Sequence, residues 1–344
     1  MVAGMGETTE NWPAVAAHLA QHGLRMTSDA PTRFPGGLAN RNYLMQLESG
    51  AVVLRRPPPG PLPPGAHDMA REHRILSRLP DALPVAPRSL HLCVDPTIMG
   101  VPFQILEYRP GRIIRATLPD DLADQGAALS ATMLQTLAAV HAVDTGALGL
   151  DTLGRPDGFL GRAVAGWHRR GLAVADPPTA RLLDELGAWL VANAVPDGPP
   201  TLLHNDFKLD NLILDPTTLT PVALVDWDQG TRGDPLFDLA TLLSYWTEPG
   251  DPQAMHDLQQ MPTASPGFWT REQAAHHYAT ITGRDLTHFR FYRVLGVVKL
   301  GVIFLQLHAL FRSGATTDKR FEAFGNVGSG VLEFAGTIAA GNVF

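Results

Sequence analysis

The chain has 344 residues, 45% of them hydrophobic and 18% charged, with a net charge of −7 at neutral pH. That is enough chain for one large two-lobed unit or two domains, and the composition is that of an ordinary soluble globular protein. The acidic balance argues against bulk binding to nucleic acid or anionic membranes. The lone Cys93 excludes an internal disulfide and a cysteine-built zinc site, which suits a reducing cytoplasm.

In chain order, the N-terminus has no basic stretch leading into an apolar one, so no secretory signal is expected. Residues 8–22 read as an amphipathic helix capped by Thr8 or Thr9 and stopped by Gly23. Tyr43–Leu47 and Ala51–Arg55 read as strands flanking the hairpin signal Ser49-Gly50. The proline run from Pro57 to Pro64 must be a connector. A helix over 66–79 carries the apolar stripe Met69, Leu76 and Leu79, with Glu72 on that stripe. Ser89–Val94 and Pro102–Tyr108 are further strands. Residues 1–108 thus form a small β-rich lobe with one important helix.

From 109 to 344 helices dominate, with Arg109–Arg112 as the hinge. They are expected over 118–141, 180–194, 234–246, 270–282, 286–312 and 318–339. The apolar run from Val294 to Phe311, interrupted by Lys299, Gln306 and His308, reads as a buried helix rather than a membrane span. Lys299 itself either snorkels, the plainer reading, or faces the acceptor cleft.

The helical region is interrupted by His204-Asn205-Asp206-Phe207-Lys208-Leu209-Asp210-Asn211, an H-x-D-x-x-x-x-N loop between strand-like flanks. A short hairpin follows, and the apolar run Val222–Val225 ends in Asp226. Phosphoryl transfer needs a carboxylate at the acceptor hydroxyl, and oxygen donors for magnesium. Asp206 fits the first role, as catalytic base or as the group that orients the hydroxyl. Asn211 and Asp226 supply an amide and a carboxylate oxygen for the hard cation. Lys208 is placed to neutralise charge on the transferred group, and His204 to pack beneath the loop and fix it. The bland alternative is a polar turn with side chains bonding their own backbone.

Asp228 reads equally as a support behind the metal ligands, a partner in their network or a surface acid. Asp234-Pro235 reads as a helix cap and first-turn proline, and Asp238 as a brace for the loop's backbone N–H groups. Arg55, at a strand end, is a phosphate-binding cation that Glu72 can hold; the alternative leaves Glu72 in water at the stripe's edge. Strand alternation points Arg56 to the other face. Gly36-Gly37 is either a turn covering the phosphates or a plain β-turn.

These motifs resemble the aminoglycoside phosphotransferase superfamily, and within it the kinase-like domains fused to acyl-CoA dehydrogenases and their free-standing bacterial relatives. The resemblance rests on Gly36-Gly37-x-x-Asn40, Val53 to Gly60, Ala66-His67-Asp68 leading to Arg71-Glu72, Glu107-Tyr108-x-x-Gly111, His204-x-Asp206 and Gly233-Asp234-Pro235-x-x-Asp238. It implies an α+β, bilobal protein-kinase-like fold with a β-rich N-lobe and a mostly helical C-lobe. It also implies ATP (with GTP as the alternative) and Mg2+, catalytic Asp206, metal-binding Asn211 and Asp226, the Arg55–Glu72 pair, and a Glu107-Tyr108 hinge meeting adenine through its backbone. Arg55 stands where the broader family usually has Lys, and Asn205 where it has Gly.

The acceptor implied is a small-molecule hydroxyl, foremost a hydroxyacyl-CoA. The alternatives are an aminoglycoside, choline-like or sugar acceptor, or a nucleotide-binding scaffold without turnover. Charges from Arg232 onward nearly balance, which tilts against a polycationic acceptor. Arg271, Arg290 and Arg293 are candidates for meeting an anionic one, with surface placement as the plainer reading.

Overall fold

The computed structural model describes residues 10–28, 30–34, 40–58 and 67–344. The chain divides into two units: Met1–Pro110 with Trp227–Gln229, and Gly111–Asp226 with Gly230–Phe344.

The first unit opens with helix α1 (Trp12–Gln21), capped by Asn11, whose side chain accepts from the Ala14 N–H at 3.2 Å. The cap is therefore Asn11, and Thr8 and Thr9 lie outside the described residues. Short strand β1 (Thr32–Arg33) pairs with β2 (Arg41–Leu47), which turns through Glu48 and Ser49 into β3 (Gly50–Arg56). Gly50 opens β3 at φ 123, a conformation that favours glycine. Helix α2 (Met69–Leu76) is capped by Asp68, and β4 (Ser89–Cys93), α3 (Pro96–Met99) and β5 (Phe103–Glu107) complete the unit. The strands form one antiparallel sheet ordered β1-β2-β3-β5-β4.

Alternation assigns the faces. Tyr43, Met45, Val52, Leu54, Phe103 and Ile105 form a core with Val15 and Leu19 of α1. One step along, the register partners Arg55 and Gln104 point to the opposite face, where Glu72 of α2 meets both.

In the second unit the expected 118–141 helix splits. A 3-10 turn at Asp120–Leu122 precedes α4 (Gly126–His141), and Gly126 lies so close to the Gly267–Phe268 backbone that a Cβ there would sit 2.5 Å away. Helices α5 (Phe159–Leu172), which the sequence reading missed, and α6 (Pro177–Ala192) follow. Strand β6 (Thr201–Leu203) leads into the His204–Asn211 loop. Next come β7 (Leu212–Leu214), β8 (Pro221–Leu224), β9 (Thr231–Gly233) and α7 (Pro235–Tyr245), then α8 (Gln253–Asp257), α9 (Arg271–Thr282), α10 (Phe289–Arg312) and α11 (Phe324–Ala339). β6 pairs with β9 and β7 with β8, both antiparallel.

Helix α10 is long and apolar enough to cross a membrane by length and composition, yet its residues from Phe289 to Leu305 are nearly all buried inside this unit. It packs on α7 and α11. Gly296 lets it approach α7, since a Cβ there would lie 2.7 Å from the Ala240 carbonyl oxygen. One turn further on, that approach presents Lys299 to the loop.

Candidate active site

The loop after β6 is held by backbone geometry as much as by side chains. Asn205 adopts φ 64 and Asp226 φ 69, left-handed conformations that Asn and Asp tolerate better than most residues. The His204 ring is fully buried. Its Nδ1 accepts from the Asp206 N–H at 3.3 Å, so Nε2 carries the proton and donates to the Val225 carbonyl at 2.9 Å. One ring thus fixes the start of the loop against the residue before Asp226. Asp226 itself lies two residues past β8 and is half-buried, rather than within the strand.

Asp238 braces the loop as its position suggested. Its two carboxylate oxygens accept from the N–H groups of His204 (2.7 Å) and Asn205 (2.8 Å), and Nε2 of His141 lies 3.2 Å away. Burial alone pushes the Asp238 pKa up, but the bond to His141 and the nearby charges hold it below the usual carboxylate range. Asp234 caps α7 through the Leu236 N–H at 2.9 Å, with Pro235 in the first turn.

Lys299 corrects the snorkelling expectation. It is 1% exposed, and Nζ donates to the carbonyl oxygen of Asn205 (2.5 Å), its Oδ1 (2.9 Å) and Thr241 Oγ1 (3.4 Å). Snorkelling fails because the polar partners lie inside, on the loop. Burial brings the Lys299 pKa down to about 8.

Asp206 Oδ1 accepts from the Tyr245 hydroxyl at 2.6 Å. The Asn211 amide nitrogen donates to the Asp206 carbonyl (2.8 Å) and approaches its Oδ2 (3.3 Å). Lys208 Nζ lies 3.6 Å from Asp206 Oδ2 and 5.1 Å from the centre of the Tyr245 ring. Burial would lower the Lys208 pKa, but Asp206, Asp210 and Asp226 together raise it, so the side chain stays charged. With the Asn211 nitrogen committed to Asp206, its amide oxygen is the end left for a cation. That oxygen and the Asp226 carboxylate are hard donors that fit magnesium, which completes its shell with water and phosphate oxygens.

In the first unit Glu72 is fully buried, which removes the reading that leaves it in water. Its Oε2 accepts from Arg55 Nε (2.8 Å) and Gln104 Nε2 (2.6 Å), and its Oε1 from the Trp227 N–H (3.0 Å). Arg56 points the other way and pairs with Glu10. Asp228 is buried: Oδ2 accepts from Asn40 Nδ2 (3.1 Å) and lies 3.5 Å from His67 Nδ1, while its carbonyl accepts from Arg71 (3.1 Å). Burial pushes its carboxyl pKa up, yet His67, Arg55 and Asn40 hold it below the usual value. Asp228 is therefore a structural anchor of the first unit rather than a surface acid.

Glu107 ends β5, and its carboxylate accepts from the Arg88 N–H (3.1 Å) and from Arg109 (2.8 Å). Tyr108 stacks on Phe34 with centroids 6.2 Å apart. Gly36 and Gly37 lie outside the described residues. The structure therefore gathers Asp206, Lys208 and Asn211 in the second unit, with the Asp226 charge acting on Lys208. It gathers Arg55 and Glu72 in the first. Arg271 and Arg293 are buried rather than on the surface, and Arg271 is held by Asp251 at 2.6 Å. Neither is exposed to meet an anionic acceptor.

Sequence reasoning missed Tyr245, Gln104 and the cation role of Lys299 at the loop. Tyr245 had a signal: it stands seven residues after Asp238, on the same face of α7.

Beside the loop lies a cavity of about 260 Å³ lined by Ala116, Thr247, His256, Gln259, Met261 and Ser265 among others. Met261 joins it to the loop, because its sulfur accepts from the Leu209 N–H at 3.3 Å. Among the described residues, no Asp or Glu lines it.

A buried cation–carboxylate pair beneath an antiparallel sheet, and an aspartate loop within a helical unit, define the protein-kinase-like class. The chain belongs to the phosphotransferase enzyme family, whose model matches residues 31–275. Acyl-CoA dehydrogenase family member 10 of Mus musculus is 29% identical over 306 residues, covering 88% of this chain and 28% of that protein. Acyl-CoA dehydrogenase family member 11 of Rattus norvegicus is 31% identical over 319 residues, covering 89% of this chain and 40% of that protein. This chain thus spans well under half the length of either relative. Among solved structures, a putative aminoglycoside phosphotransferase from Ralstonia eutropha aligns with TM-score 0.74 and 23% identity, over 96% of this chain and 99% of its own. Aminoglycoside phosphotransferase APH(4)-Ia, in a ternary complex with AMP-PNP and hygromycin B, aligns with TM-score 0.62 and 18% identity, over 95% of this chain and 99% of its own.

Proposed function

We propose that this chain is an ATP- and magnesium-dependent small-molecule kinase of the cytoplasm that phosphorylates a hydroxyl group. The observation that carries the reading is the environment of Asp206: an aspartate oriented by Tyr245 and Asn211, with the Lys208 ammonium beside it. Asp206 accepts the acceptor's hydroxyl proton as the new O–P bond forms. The γ-phosphoryl group leaves the β-phosphate oxygen, and ADP departs. Lys208 offsets the negative charge carried through the transfer. Arg55, held by Glu72, is the phosphate-binding cation, and Glu107-Tyr108 the segment that meets adenine. Asn211 and Asp226 would hold magnesium, which when bound neutralises the phosphate oxygens.

The acceptor we favour is a hydroxyacyl-CoA. One observation supports it: the relatives carry acyl-CoA dehydrogenase names. Against the scaffold reading, Asn205 adopts φ 64, a left-handed conformation that glycine also reaches, so Asn in place of Gly need not alter the loop's backbone.

The test is an acceptor screen across hydroxyacyl-CoA thioesters, aminoglycosides, choline and sugars, with mass spectrometry reading the added phosphate. Phosphorylated hydroxyacyl-CoA that depends on ATP and Mg2+ and is lost in Asp206→Asn is the expected result. Phosphate on another acceptor alone overturns the acceptor assignment, and binding of Mg-ATP without any turnover overturns the kinase reading.

A further inference from the structure

Away from the loop, the first unit brings together three histidines. His18 lies on the last turn of α1, His22 caps that helix four residues later, and His91 stands on edge strand β4. One ligand atom from each ring lies within 4.8 Å of the others. The Nε2 atoms of His18 and His91 are 2.9 Å apart, and the His22 ring centre lies 4.4 Å from that of His91 and 4.6 Å from that of His18.

We propose that His18, His22 and His91 form a binding site for a late first-row divalent metal ion, with zinc as the ion, which clips the C-terminal end of α1 to strand β4.

The orientation of the His22 ring points to this chemistry. Metal-bound histidines commonly donate their second ring N–H to a carbonyl, which fixes the tautomer and turns the other nitrogen's lone pair to the ion. His22 does so: Nδ1 lies 2.9 Å from the His18 carbonyl, which leaves Nε2 as the donor end. The spacing of four residues puts His18 and His22 on one helix face. The β4–β5 register shifts between Ser89 and His91, and such bulges on edge strands redirect a side chain. Behind His18 the edge of Phe103 lies 6.0 Å from ring centre to ring centre, giving the ring a rigid backing.

Imidazole donors suit zinc, copper and nickel, and a tetrahedral zinc site of three histidines keeps its fourth position for water. With Zn–N bonds of about 2.0–2.1 Å, donor atoms sit roughly 3.3 Å apart, so the His18–His91 pair need open only slightly. His18 and His22 precede residue 31, where the match to the family begins. The site is distinct in donor type from the oxygen set at Asn211 and Asp226.

The experiment uses the full chain stripped with a chelator, titrated near neutral pH with Zn2+ by calorimetry and with Co2+ by visible absorption. One equivalent should bind, with the visible bands of a four-coordinate Co2+ ion, and Zn2+ should raise the melting temperature. His22→Gln removes a ligand at an exposed position without touching the core, and it should weaken binding at least tenfold. His91→Gln should do the same. His256→Gln, away from the cluster, should leave affinity unchanged. Absence of stoichiometric binding overturns the proposal. So does binding that persists undiminished in both His22→Gln and His91→Gln, since the ion then sits elsewhere.

Discussion

The ammonium of Lys299 donates to both oxygens of Asn205, the backbone carbonyl at 2.5 Å and the side-chain amide at 2.9 Å. These residues are separated by 94 positions in the chain. Beside this pair, a stripe on α7 serves the loop in sequence order. Asp238 holds the N–H groups of His204 and Asn205, Thr241 meets Lys299, and Tyr245 reaches Asp206. Spacing of three and four residues along one helix face thus sets three consecutive residues of the loop.

Replacing Lys299 by Met should keep the core filled while removing the ammonium from which both Asn205 oxygens accept, at a cost of about 1.5–3 kcal/mol for a hydrogen bond to a charged group. Turnover should fall at least tenfold with the fold retained. Steady-state kinetics beside circular dichroism would show the split. Full activity in this variant would mean that the loop does not depend on the clamp.

The same lysine carries a pH signature. Its folded pKa of about 8 lies below the ordinary lysine value, so at high pH the unfolded chain holds more protons than the folded one. The stability difference between wild type and Lys299→Met should therefore shift in favour of wild type as pH rises from about 8 to about 10.4. Activity should move oppositely, declining as the ammonium loses a proton. Denaturant unfolding at several pH values, compared with the kinetic profile, measures both.

At Asn205 the backbone conformation separates two substitutions. Asn205→Gly and Asn205→Ala both lose the side-chain amide, but the glycine keeps access to φ 64, whereas the alanine adds a left-handed penalty of about 1–2 kcal/mol. The glycine variant should be the more stable and the more active. Thermal unfolding and turnover of the pair provide the measurement.

Tyr245→Phe removes the donor from Asp206 Oδ1 and leaves the ring in place. A hydrogen bond to a charged group is worth about 1.5–3 kcal/mol, so kcat should fall by about tenfold or more, with KM for ATP little changed. A rise confined to that KM would contradict the assigned orientation role.

Glu72→Ala should remove the buried carboxylate that accepts from Arg55 Nε and from the Trp227 N–H. Breaking a buried pair costs about 3–5 kcal/mol, so the melting temperature should drop and KM for ATP should rise. Arg55→Lys, which keeps the charge, should remain active.

Local spacing made the reaction legible. His204, Asp206 and Asn211 stand within eight residues, and Glu72 on an apolar stripe pointed to a cationic partner if it was buried. Helix periodicity and strand alternation likewise placed α2, α7 and α10, and separated Arg55 from Arg56. Elements with weaker signals, such as α5 and β9, went unread. The N-cap moved to Asn11 because caps depend on side-chain geometry that composition does not reveal.

What remained for tertiary structure was which partners Lys299, Tyr245 and Gln104 meet. A lysine within an apolar helix looks the same in sequence whether it reaches outward to water or inward to a carbonyl. The choice was settled by Gly296, which lets α10 lie against α7, and by the left-handed turn at Asn205 that offers two oxygens to one ammonium. Tyr245 and Gln104 found their partners in the same way, across folded distance. Spacing along the chain identifies which groups the chemistry needs, but only packing determines which buried donor meets which buried acceptor.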